Sequence, residues 1–203
     1  MLKKKAKIAV LVSGGGTNLQ ALIDAQNNGI IVSGQIDLVI SNKEGAFALT
    51  RAKNANIKTY TVLKKKLGSQ ENFENEIIRI LDENEIDVIV LAGFMSILSE
   101  KFTSRYEKRI LNVHPSLIPS SCGEGFYGLH VHEAALKKGV KVTGATVHFV
   151  NEIPDGGEII MQKAVEIQDG DTPEVLQKRV MENAEWIILP QSTEKVCKDI
   201  ISK

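Results

Sequence analysis

Five consecutive apolar residues, Ile8-Ala9-Val10-Leu11-Val12, run without a break into Ser13-Gly14-Gly15-Gly16. A run of this kind closed by a glycine turn reads as a strand buried on both faces, the condition of a strand inside a parallel sheet. Parallel neighbours need crossover connections, usually helices. The following residues supply one: Thr17 or Asn18 is placed to cap a helix whose Leu19, Leu22 and Ile23 form one apolar face. The same alternation recurs. Ile36–Ile40 reads as a strand stopped by Ser41-Asn42, Ala46–Asn54 as a helix and Lys58–Val62 as a short strand. Ser69 is placed to cap a helix that keeps the 3.6-residue period through Phe73, Ile77, Ile80 and Leu81. Asp87–Ala92 is the next strand, ended by Gly93.

The second half differs in texture. Arg109–Val113 reads as a strand, followed by a Pro-, Gly- and Ser-rich loop from His114 to Gly128 and a short helix over Glu133–Lys138. Val142–Val150 and Glu158–Ile167 flank the turn Pro154-Asp155-Gly156-Gly157, which predicts an antiparallel pair at the sheet edge. Thr172, with Pro173 in first position, opens a final helix bearing Leu176, Val180, Ala184 and Ile188. The expected fold is α/β and Rossmann-like: a mostly parallel twisted sheet, helices on both faces, and an antiparallel edge in the C-terminal half. Without a repeat or a low-complexity linker, residues 1–203 are expected to form a single domain.

Composition narrows the function classes. Lys plus Arg number 25 against 25 Asp plus Glu, a balance that argues against a large phosphate-neutralising nucleic-acid surface. The runs Lys3–Lys5 and Lys64–Lys66 read as solvated patches. No apolar stretch approaches the ~20 residues of a membrane span, and the N-terminal apolar run is too short for a signal peptide, so a cytoplasmic location is expected. Cys122 and Cys197 fit no zinc spacing and, in a reducing compartment, no disulfide. Cys122 reads as a free loop thiol rather than a nucleophile.

Ligands of such sheets bind beyond the carboxyl ends of the strands, where Ser13–Asn18, Ser41-Asn42 and Gly93–Leu98 all fall. Backbone amides of the glycine loop and the positive end of the following helix suit a phosphate. Leu19 occupies the third glycine position of the dinucleotide fingerprint, and the loop lacks the Gly-Lys-Ser/Thr ending of a P-loop, so a single phosphate ester fits better than NAD or ATP. Asn112 and His114, two apart at a strand end, project to one side. An amide donor beside an imidazole can stabilise an oxyanion and move a proton. Asp155 offers a carboxylate that would raise the pKa of a neighbouring His114, although Asp-Gly is also an ordinary turn dipeptide. His114, His130 and His132 invite a metal reading, but i and i+2 diverge by about 200° on a helix, and no metal is expected.

In this order and over nearly the whole chain, five segments resemble the phosphoribosylglycinamide formyltransferase family of purine synthesis. They are Ser13-Gly14-Gly15-Gly16-Thr17-Asn18-Leu19-Gln20, Ser41-Asn42-Lys43, Leu91–Met95, Asn112-Val113-His114-Pro115-Ser116-Leu117-Ile118-Pro119, and Thr146–Val150 through Asp155-Gly156-Gly157. The resemblance implies the formyltransferase fold, 10-formyltetrahydrofolate as co-substrate, and glycinamide ribonucleotide as acceptor. It implies Asn112, His114 and Asp155 as the catalytic trio, with Asp155 holding His114 charged. It also implies Gly16, Thr17 and Asn18 as the ribonucleotide-phosphate loop, with Glu185 contacting the ribonucleotide. Met95, Ile97 and Leu98 match the segment that contacts the folate pterin.

Several positions depart from the family. Gln70 and Ser96 stand at folate-side positions where many members carry arginine. Ser120–Gly128 is longer than the usual Pro-Gly connection, and one extra residue separates Arg179 from Glu185. The partners expected are small molecules, with no nucleic acid or membrane, on a monomer or weak homodimer. Formyltetrahydrofolate deformylase and methionyl-tRNA formyltransferase share the core motif, but each is expected to carry an additional domain. A non-catalytic nucleotide-binding module would bind the ribonucleotide without turnover.

Overall fold

A computed structural model describes residues 5–203, so Lys3 and Lys4 lie outside the described residues, while Lys5 is exposed. In chain order the first elements are β1 (Ala6–Val12), α1 (Thr17–Asn27), β2 (Gly34–Ser41), α2 (Phe47–Asn54) and β3 (Lys58–Thr61). Then come α3 (Lys64–Leu67), α4 (Gln70–Glu83), β4 (Val88–Leu91), α5 (Glu100–Arg105), β5 (Ile110–His114) and α6 (Leu129–Lys137). The chain ends with β6 (Val142–Phe149), β7 (Ile159–Glu166), α7 (Pro173–Val180), a π-helical turn over Met181–Glu185, and α8 (Trp186–Ile201).

The strands form one sheet in the order β3-β2-β1-β4-β5-β6-β7. β1 to β5 run parallel, whereas β6 and β7 are each antiparallel to their preceding strand, as expected. Both faces are covered. Ile8, Val10 and Val12 of β1 pack with Leu19, Leu22, Ala48, Val180 and Ile188, while Ala9 and Leu11 pack with Phe73, Ile77, Leu81 and Phe102 on the other side. That two-sided burial is why β1 is apolar at successive positions rather than alternating. The order reverses between β1 and β4, so the loops after these strands diverge and open a crevice there.

Ser69 and Thr172 cap α4 and α7 through their hydroxyls, as predicted. The cap of α1 differs. Gly16, in the left-handed conformation at φ 73°, holds the N-cap position with no side-chain cap, and the Asn18 amide donates to Glu185 instead. The expected single final helix is divided. Around Met181–Glu185 it widens, and the Trp186 N–H bonds back to Met181 O, five residues earlier. Leu176, Val180, Ala184 and Ile188 all remain buried. No described helix is long and apolar enough to cross a membrane.

Candidate active site

The crevice beyond β1 and β4 is a cleft of about 670 Å³, lined by Asn18, the Gly93–Ile97 segment, Asn112 to Pro115, Gly123–Gly128, Pro154, Asp155, Gln177, Met181 and Glu185. Six separate parts of the chain meet in it. Met95 N–H donates to Ser13 Oγ at 2.8 Å, which joins the loops after β1 and β4, and Asn42 Nδ2 donates to Ser96 Oγ at 2.8 Å, adding the end of β2.

The glycine loop presents amides because its carbonyls are engaged elsewhere. Gly14 O accepts from Ala48 N at 3.0 Å and Gly15 O from Arg51 Nε at 2.8 Å. Gly16 O accepts from Gln20 N at 2.9 Å. Among the described residues the amides of Gly15, Gly16 and Thr17 have no backbone partner, and they sit at the positive end of α1. Gly16 also has no space for a side chain: a Cβ there would lie 2.6 Å from Ala48 Cβ. Thr17 Oγ1 lies 4.0 Å from Met181 Sδ. Asn18 Nδ2 donates to Glu185 Oε2 at 2.8 Å, and both residues line the cleft. Burial pushes the Glu185 carboxyl up to about 6, and the Asn18 amide only partly opposes that.

Met95 and Ile97, which also line the cleft, are 52% and 67% exposed. Ser96 lines the cleft, with its hydroxyl accepting from Asn42. Leu98 is buried and lines an adjoining cavity of about 140 Å³. Gln70 lies behind the wall. Its amide donates to Ile97 O at 3.0 Å and to Glu74 Oε1 at 2.6 Å, so in this structure it supports the segment rather than lining the cleft.

Asn112, His114 and Asp155 line the same cleft. Asn112 and His114 occupy the last three positions of β5 together with Val113, and Asp155 sits in the β6–β7 connection at φ 56°. Asp155 Oδ2 is 3.3 Å from His114 Nδ1, so the expected pairing is present. Asp155 Oδ1 is also 3.4 Å from Nε2 of a second histidine, His148, whose Nε2 is 3.2 Å from Asn112 Nδ2. Sequence reasoning missed His148 as a site residue. Its position depends on the antiparallel register that sets Asn112 opposite His148, and no local pattern reports that register. Also unanticipated is the contribution of the Ser120–Gly128 loop: His114 Nε2 is 2.8 Å from Ser121 O, and Gly123 N donates to Asp155 Oδ2 at 2.9 Å.

Burial holds His114 below the ordinary histidine value, and Asp155 and the Ser121 carbonyl offset it only in part. Burial pushes Asp155 upward, but His148, the Gly123 amide and His114 beside it together bring it below the usual carboxylate range. His130 and His132 diverge on α6 as the helical geometry requires. His130 pairs with Glu133 at 3.0 Å on the surface, whereas His132 is fully buried and pushed down to about 4 by that burial.

A sequence profile described as formyl transferase matches residues 6–193. The chain is 45% identical over 98% of its length to the human trifunctional purine biosynthetic protein adenosine-3, spanning 19% of that much longer protein. It is 44% identical to the phosphoribosylglycinamide formyltransferase of Escherichia coli (strain K12), with 85% of this chain and 79% of that one covered. The crystal structure of glycinamide ribonucleotide transformylase 1 from Symbiobacterium toebii superposes with a TM-score of 0.89 at 36% identity, covering 96% of this chain and 89% of the other.

Proposed function

Because this chain belongs to the formyl transferase family, we propose that it moves the formyl group of 10-formyltetrahydrofolate onto the amine of glycinamide ribonucleotide, releasing tetrahydrofolate. The observation that carries this reading is that the Asn112–His114–Asp155 group shares one cleft with Asn18, which follows an amide-rich loop suited to a phosphate, and with the exposed apolar side chains of Met95 and Ile97. Among the described residues no lysine or arginine lines the cleft. The phosphate is held by the amides of Gly15, Gly16 and Thr17 and the end of α1, with Arg51 behind Gly15 adding positive charge. Asn18 and Glu185 contact the ribose side. The folate packs on Met95, Ser96 and Ile97, with Leu98 and Gln70 supporting that wall.

The free amine attacks the formyl carbon, forming a C–N bond and turning the carbonyl oxygen into an oxyanion. Asn112 Nδ2 carries two protons; with one directed to His148, the other donates to the oxyanion. His114 starts neutral and takes a proton from the attacking nitrogen at Nδ1, beside Asp155, whose charge stabilises the imidazolium as it forms. The oxyanion collapses, the bond to folate N10 breaks, and His114 returns the proton to that nitrogen. Donors and base are thus side chains of the chain itself, and no metal is assigned a step. The chain is taken to act as one catalytic domain, a monomer or weak homodimer in the cytoplasm, on small molecules and without nucleic acid or membrane.

Tetrahydrofolate release, followed with and without glycinamide ribonucleotide, tests this reading. Release that requires the ribonucleotide supports it. Equal release without the amine identifies water as the acceptor and overturns it.

A further inference from the structure

We propose that the backbone of Ser121 and Gly123 is a clamp on the catalytic pair, fixing the tautomer of His114 and the position of the Asp155 oxygen beside it. This rests on the reading of His114 and Asp155 as catalytic and goes beyond it, because it names which ring nitrogen exchanges the proton and what imposes that choice.

A carbonyl oxygen only accepts hydrogen bonds, so the 2.8 Å contact between Ser121 O and His114 Nε2 requires a proton on Nε2 in both neutral and charged imidazole. Proton exchange is thereby confined to Nδ1, which faces Asp155 Oδ2 at 3.3 Å. That same Oδ2 accepts the Gly123 amide at 2.9 Å. Two residues apart, the loop therefore holds one ring nitrogen of His114 and the one carboxylate oxygen that meets the other. His114 and Asp155 are nearly buried, with side chains 5% and 12% exposed, so water does not readily substitute for these contacts.

The local backbone is shaped for the task. Ser121 has φ 46° and Gly123 φ 89°. A non-glycine residue in the left-handed region is uncommon and persists only where its surroundings hold it. Here Ser120 N donates to Leu117 O at 2.9 Å and Ser116 Oγ donates to Ser120 O at 2.5 Å, securing the approach to the turn. Ser121 and Gly123 are positioning residues: they touch the catalytic side chains, not the reacting atoms.

Long-range ¹H–¹⁵N correlation on histidine-labelled protein reads the tautomer without any substrate, so it can fail independently of the assigned reaction. With the His114 signals identified by their loss in His114→Gln, the clamp predicts the Nε2–H form above the titration, and Nδ1 as the nitrogen whose shift moves on acidification. An Nδ1–H neutral form overturns the proposal. Ser121→Gly accepts the same φ and should keep the tautomer and most of kcat. Ser121→Val, β-branched at a positive φ, should mix the tautomers and lower kcat about tenfold, with both KM values nearly unchanged. A folded Ser121→Val protein with a parental tautomer and rate also overturns it. If that variant does not fold, the tautomer of the parent protein decides.

Discussion

Asp155 touches both His114 and His148, which makes it the residue whose replacement tests the assigned proton transfer most sharply. Asp155→Asn preserves shape but removes the charge that stabilises the His114 imidazolium. The proposed base is active when neutral, so the acid limb of kcat/KM should lie below the ordinary histidine range, as burial dictates. Losing the carboxylate lowers the His114 pKa further, which moves that limb to still lower pH. The expected kcat loss is about 10²–10⁴-fold, the usual span for general acid–base catalysis. A pH–rate profile with an unmoved limb and a near-parental kcat would reduce Asp155 to a turn residue. In the glycine loop, Gly16→Ala places a Cβ 2.6 Å from that of Ala48 and does so at φ 73°. Calorimetric titration should show weaker ribonucleotide binding with folate-analogue binding retained, and a parallel loss of both in a folded protein would contradict the division of the cleft. Gly16 and the Asn112–His114 pair were legible because short-range features, a turn and a strand alternation, place them. His148 was not, because its role is set by cross-strand register.

At the scale of elements, the π-turn over Met181–Glu185 shows how one extra residue is absorbed at the site. Sequence periodicity suggested an uninterrupted helix because Leu176, Val180, Ala184 and Ile188 keep a four-residue spacing, and all four are buried. The widened turn satisfies that spacing while directing Glu185 to Asn18. π-turns of this sort recur at functional sites. Deleting Asn183, an exposed residue of the turn, should return the segment to α-helical register and rotate Glu185 away from the cleft. Steady-state kinetics should then give a KM for the ribonucleotide raised about tenfold, roughly 1.4 kcal/mol of lost binding, with the KM for folate little changed. Equal shifts in both would mean that the turn merely packs. The caps at Ser69 and Thr172 were readable from local chemistry, whereas α5, six residues long, is too short to show a period.

Across the whole molecule, strand and helix alternation announced the α/β class, but not which strands are neighbours. The crevice depends on that order, since β1 and β4 are neighbours in the sheet although far apart in sequence. The fold also carries a cost at this site. Glu185, pushed up to about 6 from 4.5, contributes stability that is present below pH 4.5 and lost as pH rises through 6. Urea unfolding should therefore find Glu185→Gln more stable than the parent at pH 8 by about 2 kcal/mol, with the gap closing by pH 4.5. A gap independent of pH would show that the buried carboxylate is not its source. The central claim remains the destination of the formyl carbon. With the formyl carbon of 10-formyltetrahydrofolate labelled with ¹³C and glycinamide ribonucleotide present, ¹³C NMR should show the label passing into the formamide of the ribonucleotide product. Label appearing as free formate, or remaining on the folate while the ribonucleotide is bound, would contradict the account.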